Sequence, residues 1–117
     1  MTLDILEQTL LSKNRAKKEF PFGDDVMVFK VINKMFALIP LDDDTLKINL
    51  KCDPQDALAY RDIYKCVNPG YHMNKKHWNT ITLDGTMSDD ILIEMINDSY
   101  DLVVDKLTKK EKAQLLL

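Results

Sequence analysis

The most regular alternation of apolar and polar residues lies in residues 45–51. Because successive side chains of a strand point to opposite faces, the leucines and the isoleucine share one face, while Lys47, Asn49 and Lys51 share the other. The pattern predicts a strand with one buried and one solvent-exposed face. Such strands are typical of an antiparallel sheet that is covered on a single side.

Caps, turns and periodicity divide the rest of the chain into further elements. Thr2, Asp53 and Ser88 are residue types that cap helix N-termini, and Pro54 suits a first helical position. Segments rich in β-branched and aromatic residues predict strands, and clusters of Asp, Asn and Gly predict the turns between them. The predicted helices begin after the three caps, and the predicted strands are 26–32, 35–39, 45–51, 71–74 and 77–83.

The resulting order, α-β-β-β-α-β-β-α, predicts a single α+β domain over residues 1–117, with an antiparallel sheet of about five strands and helices packed on one side. The composition agrees, with 45% apolar and 30% charged residues. The net charge of −3 provides no field that would draw the whole protein to nucleic acid or to an anionic membrane. Any anion binding must therefore come from a local patch.

The sequence also bears on location and cofactors. It has no N-terminal signal pattern and no run near the roughly 18 apolar residues that a membrane span needs. Cys52 and Cys66 form no C-x-x-C pair, which predicts reduced thiols. The three acids at 42–44 predict a solvated turn, because the calcium-loop pattern is absent. We therefore expect a cytoplasmic monomer with no membrane contact, no metal and no cofactor.

The stretch 69–81 is the most positive surface candidate. It contains the only tryptophan and both histidines, and Lys75 and Lys76 form the tip of the predicted hairpin. The wider segment 63–83 has no acid, although the chain contains 19. Two or three lysine–phosphate contacts would give weak binding, with a slope of roughly −2 to −3 in log affinity against log salt.

Trp78 defines the geometry of this hypothesis. Period two in the strand 77–83 places its side chain on the face opposite the helices, together with Lys47 and Lys51 of the neighbouring predicted strand. An exposed indole among cations suits a surface that stacks on bases and neutralises phosphates. The alternative is an indole that lies flat on its neighbours and is covered by them.

The two histidines give a weaker indication of function than the basic, aromatic surface does. His72 and His77 lie on opposite arms of the predicted hairpin and could meet across it, but two histidines without a third ligand are a weak zinc signal. Hydrogen-bonded histidines are the better expectation. The chain has no nucleophile elbow, phosphate loop or zinc-protease motif, and its three glycines cannot form a dinucleotide fingerprint. No catalytic residue is assigned.

One long motif points to a family. The segment Pro69-Gly-Tyr-His-Met-Asn-Lys-Lys-His-Trp-Asn-Thr-Ile-Thr-Leu-Asp-Gly85 resembles the signature P-x-x-H-[LM]-N-K-x-H-W-[NS]-T, followed by L-D-G, of the MmcQ/YjbR family. Phe-Pro-Phe-Gly at 20–23, the segments at 28–30 and 34–37, and Asp-Ser-Tyr at 98–100 agree as well. The matching motif positions are His72, Asn74, Lys75, His77, Trp78 and Thr80.

The resemblance implies a small bacterial protein with a CyaY-like (frataxin-like) α+β fold. It also implies the DNA-binding, double-wing function by which family members are commonly described, and it brings no catalytic residues. Frataxin-like proteins bind iron through acids of the first helix and the adjoining edge. The first predicted helix here has only Asp4 and Glu7, so iron binding is not expected.

Three hypotheses of function remain. The first is a non-enzymatic protein that contacts nucleic-acid backbone, DNA in particular, weakly and in a salt-dependent way. Its contact surface would be the 71–83 hairpin and the open sheet face, that is, His72, Asn74, Lys75, Lys76, His77, Trp78, Lys47 and Lys51. The second is a protein-interaction or regulatory module that uses the Trp78 face. The third is a small-ligand binder or enzyme with a pocket at His72, His77 and Asn79.

Overall fold

A computed structural model describes all residues, 1–117. The elements in chain order are α1 (Leu3–Leu11), β1 (Ala16–Glu19), β2 (Val26–Val31), β3 (Lys34–Pro40), β4 (Lys47–Lys51), α2 (Pro54–Ile63), β5 (Val67–Pro69), β6 (Trp78–Thr82), α3 (Asp89–Asp105) and α4 (Lys109–Gln114). Thr2, Asp53 and Ser88 cap α1, α2 and α3 through their side-chain oxygens, as predicted. No helix is both long enough and apolar enough to cross a bilayer.

The six strands form one sheet in the order β1-β2-β3-β4-β6-β5, and all neighbours are antiparallel. The strand predicted from the clearest alternation is β4, in the middle of the sheet. It pairs with β6 so that Lys51 lies opposite Trp78, and Lys47 lies opposite Thr82. This register brings the family motif next to the cationic face of β4.

The main core lies between the sheet and the helices α1 and α3. Ile48 and Leu50 of β4 and Ile81 of β6 face this layer, where they meet apolar side chains of both helices, such as Leu6 and Ile96. Burial of their apolar surface is the main force that holds the helices on the sheet. The α+β class, the antiparallel sheet and the helical layer are therefore confirmed.

The first and last parts of the chain differ from the sequence prediction. Residues 16–19 form the edge strand β1, which is not among the strands predicted from the sequence. Their Ala-Lys-Lys-Glu sequence has weak strand propensity, but charged, short edge strands protect a sheet from further pairing. The extra helix α4 begins with a capping box between Thr108 and Glu111.

The first strand of the predicted hairpin is formed by other residues than expected. That arm is β5, at Val67–Pro69, rather than residues 71–74, and the connection to β6 is the loop of residues 70–77. Pro69 can stand in β5 because β5 is an edge strand, where a missing N–H is tolerated. His72 adopts a φ of 59°, a left-handed conformation that a regular strand cannot contain.

The sheet face opposite the helices is less open than expected. Val28, Leu38 and Trp78 form a second apolar cluster on it, and Met73 of the 70–77 loop packs against this cluster. Asn49 and Thr80 are also buried there and are hydrogen-bonded to each other. Large side chains lying across neighbouring strands thus close the centre of this face, and only its margins remain accessible.

Candidate nucleic-acid interface

Asn74 organises the loop 70–77. Its side-chain oxygen accepts hydrogen bonds from the backbone N–H of Lys76 at 2.9 Å and of His77 at 3.3 Å. Its carbonyl accepts from the N–H of Trp78 at 3.0 Å. An asparagine that satisfies turn N–H groups in this way fixes the backbone of a loop without regular structure. Asn74 therefore shapes the surface, and its side-chain oxygen is already engaged.

Gly70 lets the loop approach β6 closely. A Cβ at this position would lie 2.8 Å from the Cβ of Trp78 and 2.9 Å from that of Met73, closer than carbon atoms can pack. The N–H of Gly70 donates to the carbonyl of Trp78 at 2.9 Å, and that of Tyr71 donates to the Thr80 hydroxyl at 3.0 Å. These contacts hold the loop against β6 at Trp78 and Thr80.

Arg61 of α2 fastens the same loop from the helical side. Its Nε donates to Oδ1 of Asn79 at 2.7 Å, and its guanidinium also donates to the backbone carbonyl of Lys75. Asn79 is fully buried, and its amide nitrogen donates to the carbonyl of Ala57 at 3.3 Å. The network joins α2, β6 and the loop. Sequence reasoning missed Arg61, because nothing in its local context marks it.

Trp78 is not the exposed aromatic that was predicted. Its orientation away from the helices is as expected, but the residue is only 8% exposed. It packs in one cluster with Val28 and Leu38, and Met73 of the loop packs against this cluster. The indole is therefore a packing residue that supports the loop, and its ring face is not free for stacking.

Tyr71, and not Trp78, is the exposed aromatic residue of this region. It is 69% exposed, and its ring centroid lies 4.0 Å from that of His72 at an interplanar angle of 50°. Two adjacent rings on a fastened loop offer a π surface at low entropic cost, because the loop is already ordered. The sequence analysis placed Tyr71 in the first strand of the predicted hairpin and did not single it out as a site residue.

Two cations, Lys75 and Lys76, lie in the same loop as this aromatic pair. Lys75 and Lys76 are both exposed, and the ammonium group of Lys75 donates to the carbonyl of Gly70 at 3.0 Å, which draws it back over the loop. Neither lysine forms an ion pair. Because residues 63–83 contain no acid, no carboxylate within that segment offsets their charge.

The two lysines of β4 that were predicted to share the binding surface lie at opposite ends of the strand. Lys51 stands opposite Trp78 at the loop end of the sheet. Lys47 lies at the far end of β4 and forms an ion pair with Asp43 at 2.7 Å, which lowers the pKa of that carboxyl. The prediction that Lys47 contributes to the same surface as Lys75 is therefore wrong, because one strand length separates them and Lys47 already has an anionic partner.

A groove of about 630 Å³ runs beside the loop. Its charged lining residues are two lysines and two aspartates, Lys51, Lys106, Asp53 and Asp105, and Asn74, His77 and Trp78 also line it. His72 and Asn79 are absent from its lining, so this groove is not the predicted pocket at His72, His77 and Asn79. Asn79 points to the helical side and is bound by Arg61.

Cys52 also lines this groove, but its thiol is poorly suited to nucleophilic chemistry. Burial, reinforced by the nearby Asp56 and Asp53, raises the pKa of the thiol to about 11. A thiol with this pKa carries almost no thiolate at neutral pH, so it is a poor nucleophile. No three His, Cys, Asp or Glu side chains are grouped as metal ligands anywhere in the chain.

Further basic residues collect at the same end of the sheet. Because neighbouring strands are antiparallel, the connection 12–15, with Lys13 and Arg15, and the turn before Lys34 lie at this end. The C-terminus of α3 reaches it too, since Lys106 lines the groove. We call this assembly, together with the loop 70–77, the basic end.

Comparison with known proteins gives a consistent family. A model described as YjbR matches residues 11–102. The uncharacterised protein YbdF of Escherichia coli O157:H7 is 43% identical over 96 residues, which are 82% of this chain and 79% of YbdF. The uncharacterised protein YjbR of Escherichia coli strain K12 is 30% identical over 117 residues, or 100% of this chain and 98% of that protein.

Solved structures agree with this result. The crystal structure of a Deinococcus radiodurans protein, described as a DUF419 domain, has a TM-score of 0.92 and 39% identity, covering 99% of this chain and 88% of that one. A Pseudomonas syringae protein has a TM-score of 0.76 and 27% identity, covering 87% of this chain and 98% of that one. With its motif, its fold and these relatives in agreement, the chain belongs to the YjbR family.

Proposed function

We propose that this protein binds single-stranded nucleic acid through the loop 70–77, without base specificity. The observation that carries the proposal is the exposed ring pair of Tyr71 and His72 beside Lys75 and Lys76 on an acid-free segment. Every base has a π face, so a stacking ring binds without sequence preference, while lysines neutralise the adjoining phosphates. The YjbR resemblance, which implies DNA binding, points the same way.

The fastening of the loop supports this function physically. Arg61, Asn74 and Gly70 hold the backbone in place before any ligand arrives. A preformed surface loses little conformational entropy on binding, so a small number of contacts suffices for measurable affinity. The burial of Trp78 beneath the loop argues against the competing hypothesis of a protein-interaction surface centred on that indole.

The test is a titration of labelled single-stranded oligonucleotides, followed by fluorescence anisotropy at several salt concentrations. Three phosphate contacts predict a slope of about −2 in log affinity against log salt, at about 0.7 per phosphate for single strands. Replacing Lys75 and Lys76 together by Ala should weaken binding and reduce that slope. Tyr71→Ala should weaken binding but leave the salt slope unchanged, because the ring carries no charge. Tyr71→Phe keeps the ring and should restore the affinity.

The matched control is the pair Lys17→Ala with Lys47→Ala, which removes the same charge from outside the loop. It should leave affinity near that of the wild type, because Lys47 is already paired with Asp43. Absence of binding at low salt, or binding that salt does not affect, would refute the proposal. An equal loss from both lysine pairs would refute the assignment to the loop.

A further inference from the structure

Most loops at the end of the sheet opposite the basic end are acidic, and the one basic side chain among them is Lys65 of the connection 64–66. Loops 20–25, 41–46 and 83–88 contain Asp24, Asp25, Asp42, Asp43, Asp44 and Asp84, and no lysine, arginine or histidine. Backbone hydrogen bonds join the three loops, from Leu41 to Asp25 at 2.6 Å and from Leu83 to Leu46 at 2.8 Å. We call them the acidic end.

Large apolar side chains stand in solvent among these acids. Phe22 is 64% exposed, Phe20 43% and Leu41 40%. A turn closed by a hydrogen bond from the N–H of Gly23 to the carbonyl of Phe20, at 3.3 Å, presents the two phenylalanines. Single exposed apolar residues are common on proteins, but several grouped at one end are typical of a surface that binds a partner.

A cavity of about 310 Å³ adjoins the last of these loops, 83–88. Its apolar lining is Met1, Leu83, Met87 and Leu92, and Asp89 beside it is paired at 3.6 Å with the N-terminal ammonium group of Met1. Because the backbone N–H of Leu83 donates to the carbonyl of Leu46, this lining residue lies next to the loop 41–46. The cavity is large enough to receive an apolar side chain from outside.

We propose that the acidic end is a docking surface for a basic polypeptide segment that carries apolar anchor residues. Lysines or arginines of the partner would meet the aspartates, and its apolar side chains would cover Phe20 and Phe22 and enter the cavity. The charge sign selects the partner, because opposite potentials steer association and like charges exclude other chains. The contact of apolar groups supplies the affinity.

The protein itself contains a control surface for this inference. Glu94, Asp98 and Asp101 of α3 are also acidic, but no phenylalanine is exposed beside them. Burial, together with Glu94 and Asp101, raises the pKa of Asp98, so a neutral asparagine at that position is compatible with folding. A partner attracted by charge alone would bind both acidic surfaces, whereas the proposed partner binds only the acidic end.

The experiment uses the full chain, isotopically labelled, and a short synthetic amphipathic peptide of lysine and leucine. We expect amide shift changes in residues 20–25, 41–46 and 83–88. Phe22→Ser combined with Asp42→Asn and Asp44→Asn should weaken binding about tenfold, the scale of losing a central anchor. Asp98→Asn with Asp101→Asn should change it by less than about twofold, as for exposed charges.

Four outcomes would overturn the proposal. The first is equal binding of a lysine–serine peptide, and the second is shift changes centred on α3. The third is a matching loss of affinity in both sets of variants. The fourth is sedimentation of the protein alone as a concentration-dependent assembly that Phe22→Ser abolishes, because the occupant would then be a second copy of this chain. The nucleic-acid titration of the loop 70–77 is unaffected by any of these results.

Discussion

The two ends of the sheet differ in charge and also in how they treat their aromatic residues. At the basic end Trp78 is buried under a fastened loop, and only Tyr71, on the outer side of that loop, is exposed. At the acidic end Phe20 and Phe22 lie in solvent on a turn, and no side-chain hydrogen bond from another element fastens that turn. The first arrangement presents a preformed surface. The second presents exposed apolar residues that no other part of the chain covers.

The comparison shows why the net charge is a poor guide here. The value of −3 averages over two regions of opposite sign, so it conceals the local patch that would attract an anion. Strand β2, with six residues, spans about 20 Å at roughly 3.3 Å per residue. That length exceeds the Debye length of about 8 Å at physiological ionic strength, so we expect the two ends to act independently.

The largest expected effect is a difference in stability between variants of the two aromatic residues at the basic end, Trp78 and Tyr71. Trp78→Ala should lower the free energy of unfolding by about 3–5 kcal/mol, because it leaves a cavity beneath the loop. Tyr71→Ala should change the free energy of unfolding by at most about 0.5 kcal/mol, since the side chain is exposed. Urea denaturation of both variants measures the difference. Similar losses for the two would show that Tyr71 also packs, and the division between supporting and contacting rings would be wrong.

The sequence predicts the supporting layer of this end better than its surface. Period two in β6 correctly places Trp78 away from the helices and Ile81 towards them. It could not predict the burial of Trp78, because that depends on Met73 folding back from the loop and on Val28 and Leu38, which are distant in sequence. Gly70 is a local signal of close approach, but only the neighbouring Cβ atoms show what it approaches.

A smaller effect tests the fastening of the loop. Arg61→Met should cost about 1.5–3 kcal/mol of unfolding free energy, because the buried Oδ1 of Asn79 loses a charged donor. Amides of the loop should exchange hydrogen faster, while those at 20–25 should not change. Arg61→Lys keeps the charge but cannot bond Asn79 and the Lys75 carbonyl as a fork, so it should restore only part of the stability. Unchanged exchange in the loop of Arg61→Met would show that Asn74 and Gly70 suffice to fix it.

Long-range partners explain what sequence reasoning found and missed at the site. Lys75, Lys76, His72 and His77 were predicted from local composition, and all four lie in or next to the exposed loop. Arg61 was missed because its partner Asn79 lies 18 positions away. Lys47 was misplaced because alternation specifies a face of β4 but not which end of the strand meets the loop. Strand register, which is a tertiary property, decides that question.

The smallest expected effect tests whether the two ends are independent. Asp42→Asn combined with Asp44→Asn removes two charges from the acidic end, and neither carboxylate forms an ion pair. At physiological ionic strength, screening over a strand length should keep the affinity for single-stranded oligonucleotide within about twofold of the wild type. At low salt the Debye length increases to about 30 Å at 0.01 M, so the same variant should bind measurably tighter there. A strong gain at physiological ionic strength would mean that the acidic end repels nucleic acid directly, and the two ends would then form a single electrostatic surface.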